Sequence, residues 1–215
     1  GLCHNYEGTM KRLADYLDAP RDDIDAETYG VNHFTWLRNI TCKGRPCEDR
    51  LSLEQYLVYR ERKQGPVKTG PTDDEIDAMT GGYRIDDRLA YELFERTGHF
   101  PVGAAPHIAE NFPYFLNDKR TIRDHHIRRK GVLPRRLEGK QEKRKRAEAI
   151  LEGREDPRDL VPSSESLAEI VRALHTGIPC RPCVNLPNTG QIDNLPHEVI
   201  VETLAHVDRQ GIKPL

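Results

Sequence analysis

The chain of 215 residues is 36% hydrophobic and 32% charged, long enough to bury one substantial core. Its 33 Lys and Arg against 35 Asp and Glu leave a net charge of −2, which excludes a global attraction to nucleic acid or anionic membrane. Apolar runs fall far short of the roughly 18 residues a membrane span needs and no signal peptide opens the chain, so a soluble, cytoplasmic protein is expected. A mean hydropathy of −0.74 is low for a compact enzyme and implies either much solvated surface or a neighbour that part of the chain covers.

Met10, Leu13, Ala14 and Leu17 recur at helical spacing, so a helix follows Cys3 and His4 directly. Amides at that helix start favour the thiolate form of Cys3. Tyr29 to Ile40, rich in β-branched and aromatic residues, reads as one strand with His33 inside it. Ser52 with Gln55 three residues on reads as a capping box opening a helix to about Arg62. Residues 65–82 carry Pro66, Gly70, Pro71 and the Gly81-Gly82 pair among acids and read as a linker or loop. A helix from about Asp86 to Arg96 should end at Gly98, and His99 to Phe115, punctuated by proline, cannot be one long regular element. Lys119 to Arg146 holds thirteen Lys or Arg residues; interleaved Glu138 and Glu142 and the lack of aromatic stacking partners favour a solvated helix over a polyanion-binding one. Leu167, Ile170, Val171 and Leu174 repeat at i, i+3, i+4 and i+7 in the clearest amphipathic pattern of the chain, closing near Gly177. Strand-like residues return at Val199 to Glu202.

Five cysteines show no secreted-type framework, so reduced thiols are the default. Cys42-x4-Cys47 with Cys180-x2-Cys183 leaves open a four-thiolate zinc site, and with it a non-catalytic metal-binding interaction domain. A thiolate at Cys3 and an imidazole at His33, 30 residues apart, can meet at one metal. Two protein ligands leave coordination positions open, which suits a catalytic ion holding substrate oxygens, and by ligand softness the pair favours zinc.

The motifs Gly1-Leu2-Cys3-His4, Gly8-Thr9, Gly30-Val31-Asn32-His33, Gly98-His99-Phe100, Pro106-His107-Ile108-Ala109-Glu110, Pro113-Tyr114-Phe115, Ile192-Asp193-Asn194-Leu195-Pro196 and Val201-Glu202 stand in an order that resembles family 4 of the glycoside hydrolases. The resemblance covers nearly the whole chain. It implies an α+β fold like the C-terminal domain of lactate and malate dehydrogenases, with antiparallel strands and flanking helices. On that reading residues 1–215 are the substrate- and metal-binding C-terminal domain, inactive alone, with the Rossmann-type NAD-binding half and the last helices missing from the chain.

The resemblance further implies NAD and a divalent metal, manganese before zinc, with Cys3 and His33 as ligands. The implied reaction departs from the two-carboxylate scheme of most glycosidases: oxidation of the sugar at C3, removal of the C2 proton, loss of the C1 leaving group, water addition and return of the hydride. His4, which follows the metal-binding cysteine, marks the branches that take unphosphorylated α-glycosides, nearest the α-galactosidase branch and next the α-galacturonidase branch, with α-glucosidase or a sugar oxidoreductase domain as alternatives. Where several branches place an acidic base this chain has Ala105, which cannot take a proton. The catalytic candidates are therefore His107, His4 and Tyr114, with His4, Asn32, Glu110 and Asn188 as substrate contacts. Expected partners are a small-molecule α-glycoside and a second or further copy, in a homodimer or homotetramer.

Overall fold

A computed structural model describes Leu2 and residues 5–65, 70–77, 86–127, 132–159 and 166–215. The helix expected near the start is α1, Asn5–Leu17, and it buries Tyr6, Met10, Leu13, Ala14 and Leu17 on one face. Next come two long antiparallel strands, β1 (Ile24–Val31) and β2 (Phe34–Cys42), paired from Ile24↔Cys42 to Val31↔Phe34. A single strand from Tyr29 to Ile40 does not form. The chain reverses at Asn32-His33 instead, and His33 takes the left-handed conformation (φ 66°) at the second turn position. Gly30 makes the tight reversal possible: its φ is 151°, and a Cβ there would lie 2.3 Å from the Phe34 carbonyl oxygen.

Both remaining partners of β2 lie on its other edge. They are the short β3 (Arg45–Pro46), against Thr41 and Cys42, and β4 (Phe100–Pro101), against Trp36 and Leu37. Between them run α2 (Leu53–Gln64), α3 (Asp73–Asp77) and α4 (Arg88–Thr97). Ser52 caps α2 by accepting a hydrogen bond from the Gln55 amide, as the sequence pattern requires, and Gly98 closes α4 in the left-handed conformation. The linker expected over 65–82 falls partly outside the described residues; α3 is its described regular piece. The segment 99–115 breaks into β4, a short helix α5 (Ala105–Glu110) and a single turn at Pro113–Phe115.

The basic block divides into α6 (Lys119–Asp124) and α7 (Val132–Leu151). On α7 Arg144 pairs with Glu148 at 2.9 Å and Arg146 with Glu155 at 3.1 Å, both on exposed surface, which fits the solvated reading. After α8 (Leu167–Thr176) the strands β5 (Cys183–Pro187), β6 (Ile200–Asp208) and β7 (Gly211–Pro214) form a second antiparallel sheet in that order. Among the described residues every strand pair is antiparallel, so the α+β expectation holds. No helix among them is long and apolar enough to cross a membrane.

The main core joins α1, α4 and α5 to the inner faces of β1 and β2, through Met10, Leu13, Leu37, Ile40, Leu89, Phe94, Phe100 and Ile108. Its aromatic centre is Tyr56 stacked on Tyr91 at 4.3 Å between ring centroids. Burying residues of this size contributes about 1.5–3 kcal/mol each before entropy is counted. A smaller cluster seats Ile170 and Ala173 of α8 on Val184, Ala205 and Val207. That helix is less covered than its pattern predicts, since Leu167 and Val171 are each 57% exposed.

Candidate functional site

The Asn32-His33 turn projects His33 toward α5, where its imidazole lies 5.3 Å from that of His107, the planes inclined at 49°. Asn111, just past α5, clasps both elements: its side-chain amide donates to the His33 carbonyl at 3.3 Å and to the His107 carbonyl at 2.9 Å. The sequence thus names two histidines separately, and the fold brings them together.

The start of α5 is held from the other side by α1. Thr9 accepts from the Gly103 amide at 2.9 Å, and Arg12 donates to the Gly103 carbonyl at 3.0 Å while its Nε bonds Asp87 at 2.8 and 3.0 Å. Gly103 itself has φ 118°, and a Cβ there would stand 3.3 Å from the His107 Cβ and 4.0 Å from Asn5 Nδ2. Only glycine fits comfortably. Asn5, at the first position of α1, is buried, and its Nδ2 has no hydrogen-bond partner among the described residues. A buried amide donor left unspent among the described residues, beside the Gly103 turn, is suited to a ligand oxygen. Sequence reasoning passed over Asn5, although its place directly after Cys3-His4 was the available signal.

Behind the hairpin turn lies a second missed residue. Glu202 of β6 is fully buried, and both its carboxylate oxygens accept. Oε1 receives the Thr35 hydroxyl at 2.9 Å and lies 3.9 Å from Cys183 Sγ. Oε2 receives the side-chain amides of Asn32 and Asn185, each at 3.2 Å.

The other candidates are placed as follows. Cys3 and His4 lie outside the described residues; their neighbours are Leu2, which bridges Val184, and Asn5. Ala105 is buried at the first turn of α5. Glu110 is exposed at the end of that helix. Tyr114 is 52% exposed, with its ring against Phe115 at 4.5 Å.

Asn188 has a different occupation from the one expected. It is buried, its Nδ2 donates to the carbonyls of Ile192, Leu195 and Pro196, and its Oδ1 accepts from the Gly190 and Ile192 amides. With both ends spent on its own loop it is an organiser of residues 188–196, not a sugar contact. Asn194 and Gln191 of that loop line a separate cleft of about 510 Å³ with Tyr29, Arg38 and Arg181, apart from His33 and His107.

The four-thiolate zinc site does not form. Cys47 is buried in the main core, where its thiol donates to the Ile40 carbonyl at 3.4 Å, and burial pushes that thiol up to about 11, away from the thiolate a metal needs. Cys183 is buried on β5 and Cys180 bridges to Val207 in the second sheet. Among the described residues no three His, Cys, Asp or Glu side chains are grouped to hold a metal. The described donors here are the imidazoles of His33 on the exposed turn and His107 on α5, so they fit a divalent ion only in an open site that takes further ligands from elsewhere.

The fold and this arrangement define an α+β domain in which an antiparallel hairpin offers a histidine to a short helix. Residues 28–215 match the family 4 glycosyl hydrolase C-terminal domain, and the chain belongs to that family. An α-galacturonidase of Thermoanaerobacterium saccharolyticum is 28% identical over 231 residues, covering 100% of this chain and 46% of its own length. An α-galactosidase of Bacillus subtilis is 26% identical over 223 residues, covering 100% and 44%. The chain spans about half the length of these relatives. Among solved structures, lplD of Bacillus subtilis superposes with a TM-score of 0.75 at 27% identity, over 99% of this chain and 48% of that one. A 6-phospho-α-glucosidase from gut microorganisms, solved with NAD and Mn2+, shares the fold at a TM-score of 0.62 and 16% identity, over 100% and 46%.

Proposed function

We propose that the protein to which this domain belongs cleaves unphosphorylated α-linked galacto-configured glycosides, α-galacturonides before α-galactosides, using NAD and a divalent metal, manganese first. The observation that carries this reading is the meeting of His33 and His107 beneath the Gly103 turn, in a family 4 domain whose relatives include α-galacturonidases at 24–28% identity. α-Galactosidases stand close behind at 25–26%, which makes α-galactosides the second substrate. His4 supports an unphosphorylated substrate through the family resemblance.

Cys3 and His33 are the residues that would hold the metal, and when bound it would polarise the sugar's O2 and O3. The residues of the chain have their own tasks. His107, held by the α5 backbone beside His33, is the group assigned to the sugar's C2 proton. Asn5 offers a buried donor to a sugar oxygen, and the Arg12–Asp87 pair keeps the Gly103 turn at the distance that lets His107 approach.

Aryl α-galacturonide, α-galactoside, α-glucoside and their 6-phosphates, incubated with the full-length protein, NAD, manganese and reductant, test the reading. Cleavage of the α-galacturonide or α-galactoside at least about tenfold faster than any 6-phosphate is expected, a discrimination of about 1.4 kcal/mol in the transition state. A preference for a 6-phosphate would reject the substrate class. Oxidised sugar accumulating without bond cleavage would move the domain to an oxidoreductase.

A further inference from the structure

A carboxylate buried completely on a central strand is costly, and an apolar residue of similar size would serve packing alone at least as well. Glu202 carries that cost with, among the described residues, no cation paired to it. Its described donors are all neutral, and they come from two sheets. Asn185 is its cross-strand neighbour on β5, whereas Thr35 and Asn32 belong to the β1–β2 hairpin, 167 and 170 residues away in sequence. Thr35 is itself fixed, since its carbonyl accepts the Val102 amide at 2.8 Å and its hydroxyl also reaches the Val31 carbonyl at 3.3 Å. The carboxylate is thus pinned by Thr35 and Asn185, and its Oε2 is left facing the one donor that stands on the turn, Asn32. That amide is adjacent to His33, whose positive φ is a strained backbone state for a residue with a side chain.

We infer that Glu202 is a positioning residue: through its hydrogen bond to Asn32 it holds the Asn32-His33 turn in the conformation that presents the His33 imidazole beside His107. The two sheets therefore meet at this carboxylate, and the second sheet acts on the site without touching substrate. The inference rests on the proposed role of His33 as a metal ligand. An outer partner of a ligand of this kind changes metal affinity by about 10–100-fold when removed.

The test is manganese binding to the full-length protein, followed by electron paramagnetic resonance, alongside thermal melting and steady-state kinetics. Asn32 is exposed, so Asn32→Ala should melt close to the parent, yet bind Mn2+ about 10–100-fold more weakly, with kcat recovering at saturating metal. Glu202→Gln, which keeps the shape but turns an N–H toward one set of donors, should weaken binding similarly. The double variant should be no weaker than the worse single, because both changes break one link. Unchanged Mn2+ affinity in Asn32→Ala, or additive losses in the double variant, overturns the inference. If Glu202→Gln does not fold, Asn32→Ala still decides. His33→Ala separates the layers: undiminished Mn2+ affinity there rejects the metal reading itself, while loss there with normal binding in Asn32→Ala rejects only the positioning role.

Discussion

Asp86→Ala should destabilise the protein by about 3–5 kcal/mol, the cost of removing one partner from a buried ion pair. Asp86 stands just before α4, almost fully buried, with Arg60 of α2 at 2.9 Å and His126 at 3.5 Å on the same oxygen. Its other oxygen accepts the Tyr56 hydroxyl at 3.3 Å and the Arg88 amide at 3.1 Å, the latter one of the free donors at the start of α4. Among the described residues Arg60 already has two buried nitrogens, Nε and Nη1, without partners, so losing Asp86 leaves the guanidinium without its carboxylate. Asp86→Asn, which keeps an acceptor, should cost less, about 1–3 kcal/mol. The sign of the pH dependence follows from the same contacts. Burial raises the Asp86 pKa, but the His126 hydrogen bond, Arg60 and the Arg88 amide outweigh it and leave the carboxyl below its ordinary 3.8. Its contribution is therefore present above pH 3.8 and lost as pH falls through the folded value. Asp87 next to it has the opposite sign: burial raises it despite Arg12, so its contribution is full below 3.8 and lost as pH rises through its folded value. Urea melts of parent and Asp86→Asn should separate above about pH 4 and converge in stronger acid. Equal separation at every pH would show that Asp86 is not charged in the folded protein.

Local rules recovered the elements that obey them. Met10, Leu13, Ala14 and Leu17 fall on one face of α1, Ser52 caps α2, and Gly98 and Gly177 end α4 and α8 in the left-handed conformation. The hairpin was missed because its strands are β-branched and aromatic on both sides of the turn, so the short polar pair Asn32-His33 reads as part of one run. Gly30 and Asn32 were the punctuation, and their weight becomes clear only from the 2.3 Å approach to the Phe34 carbonyl. His33 was named from the family motif, while its companionship with His107 depends on a turn and a helix 74 residues apart, which no periodicity encodes. Glu202 in Val201-Glu202-Thr203 reads as an outward polar residue of an alternating strand. It is buried because the hairpin of the other sheet covers that face and supplies the donors. For α8 the pattern was right and the burial was not: one sheet reaches Ile170 and Ala173 but leaves Leu167 and Val171 in solvent.

His107→Gln should slow the proposed chemistry by about 10²–10⁴-fold, the usual worth of a positioned acid–base group, while weakening substrate binding far less. Removal of the C2 proton needs a base within reach of that carbon. Ala105, two residues earlier on α5, presents only a methyl group, so the helix offers His107 as its titratable side chain nearest the hairpin. The backbone there is fixed from two directions, by Thr9 and Arg12 on Gly103 and by Asn111 on the His107 carbonyl, which is the rigidity a proton-transfer group requires. Glutamine keeps hydrogen-bonding capacity at that place and removes the basicity, so it separates the two roles. The decisive measurement is exchange of the substrate's C2 hydrogen with solvent deuterium by the full-length protein with NAD and manganese. Exchange should fall with kcat, and KM should change little. Were exchange to persist in His107→Gln and vanish in Tyr114→Phe, the half-exposed tyrosine after α5 would be the base and His107 would be left to orient the sugar beside His33.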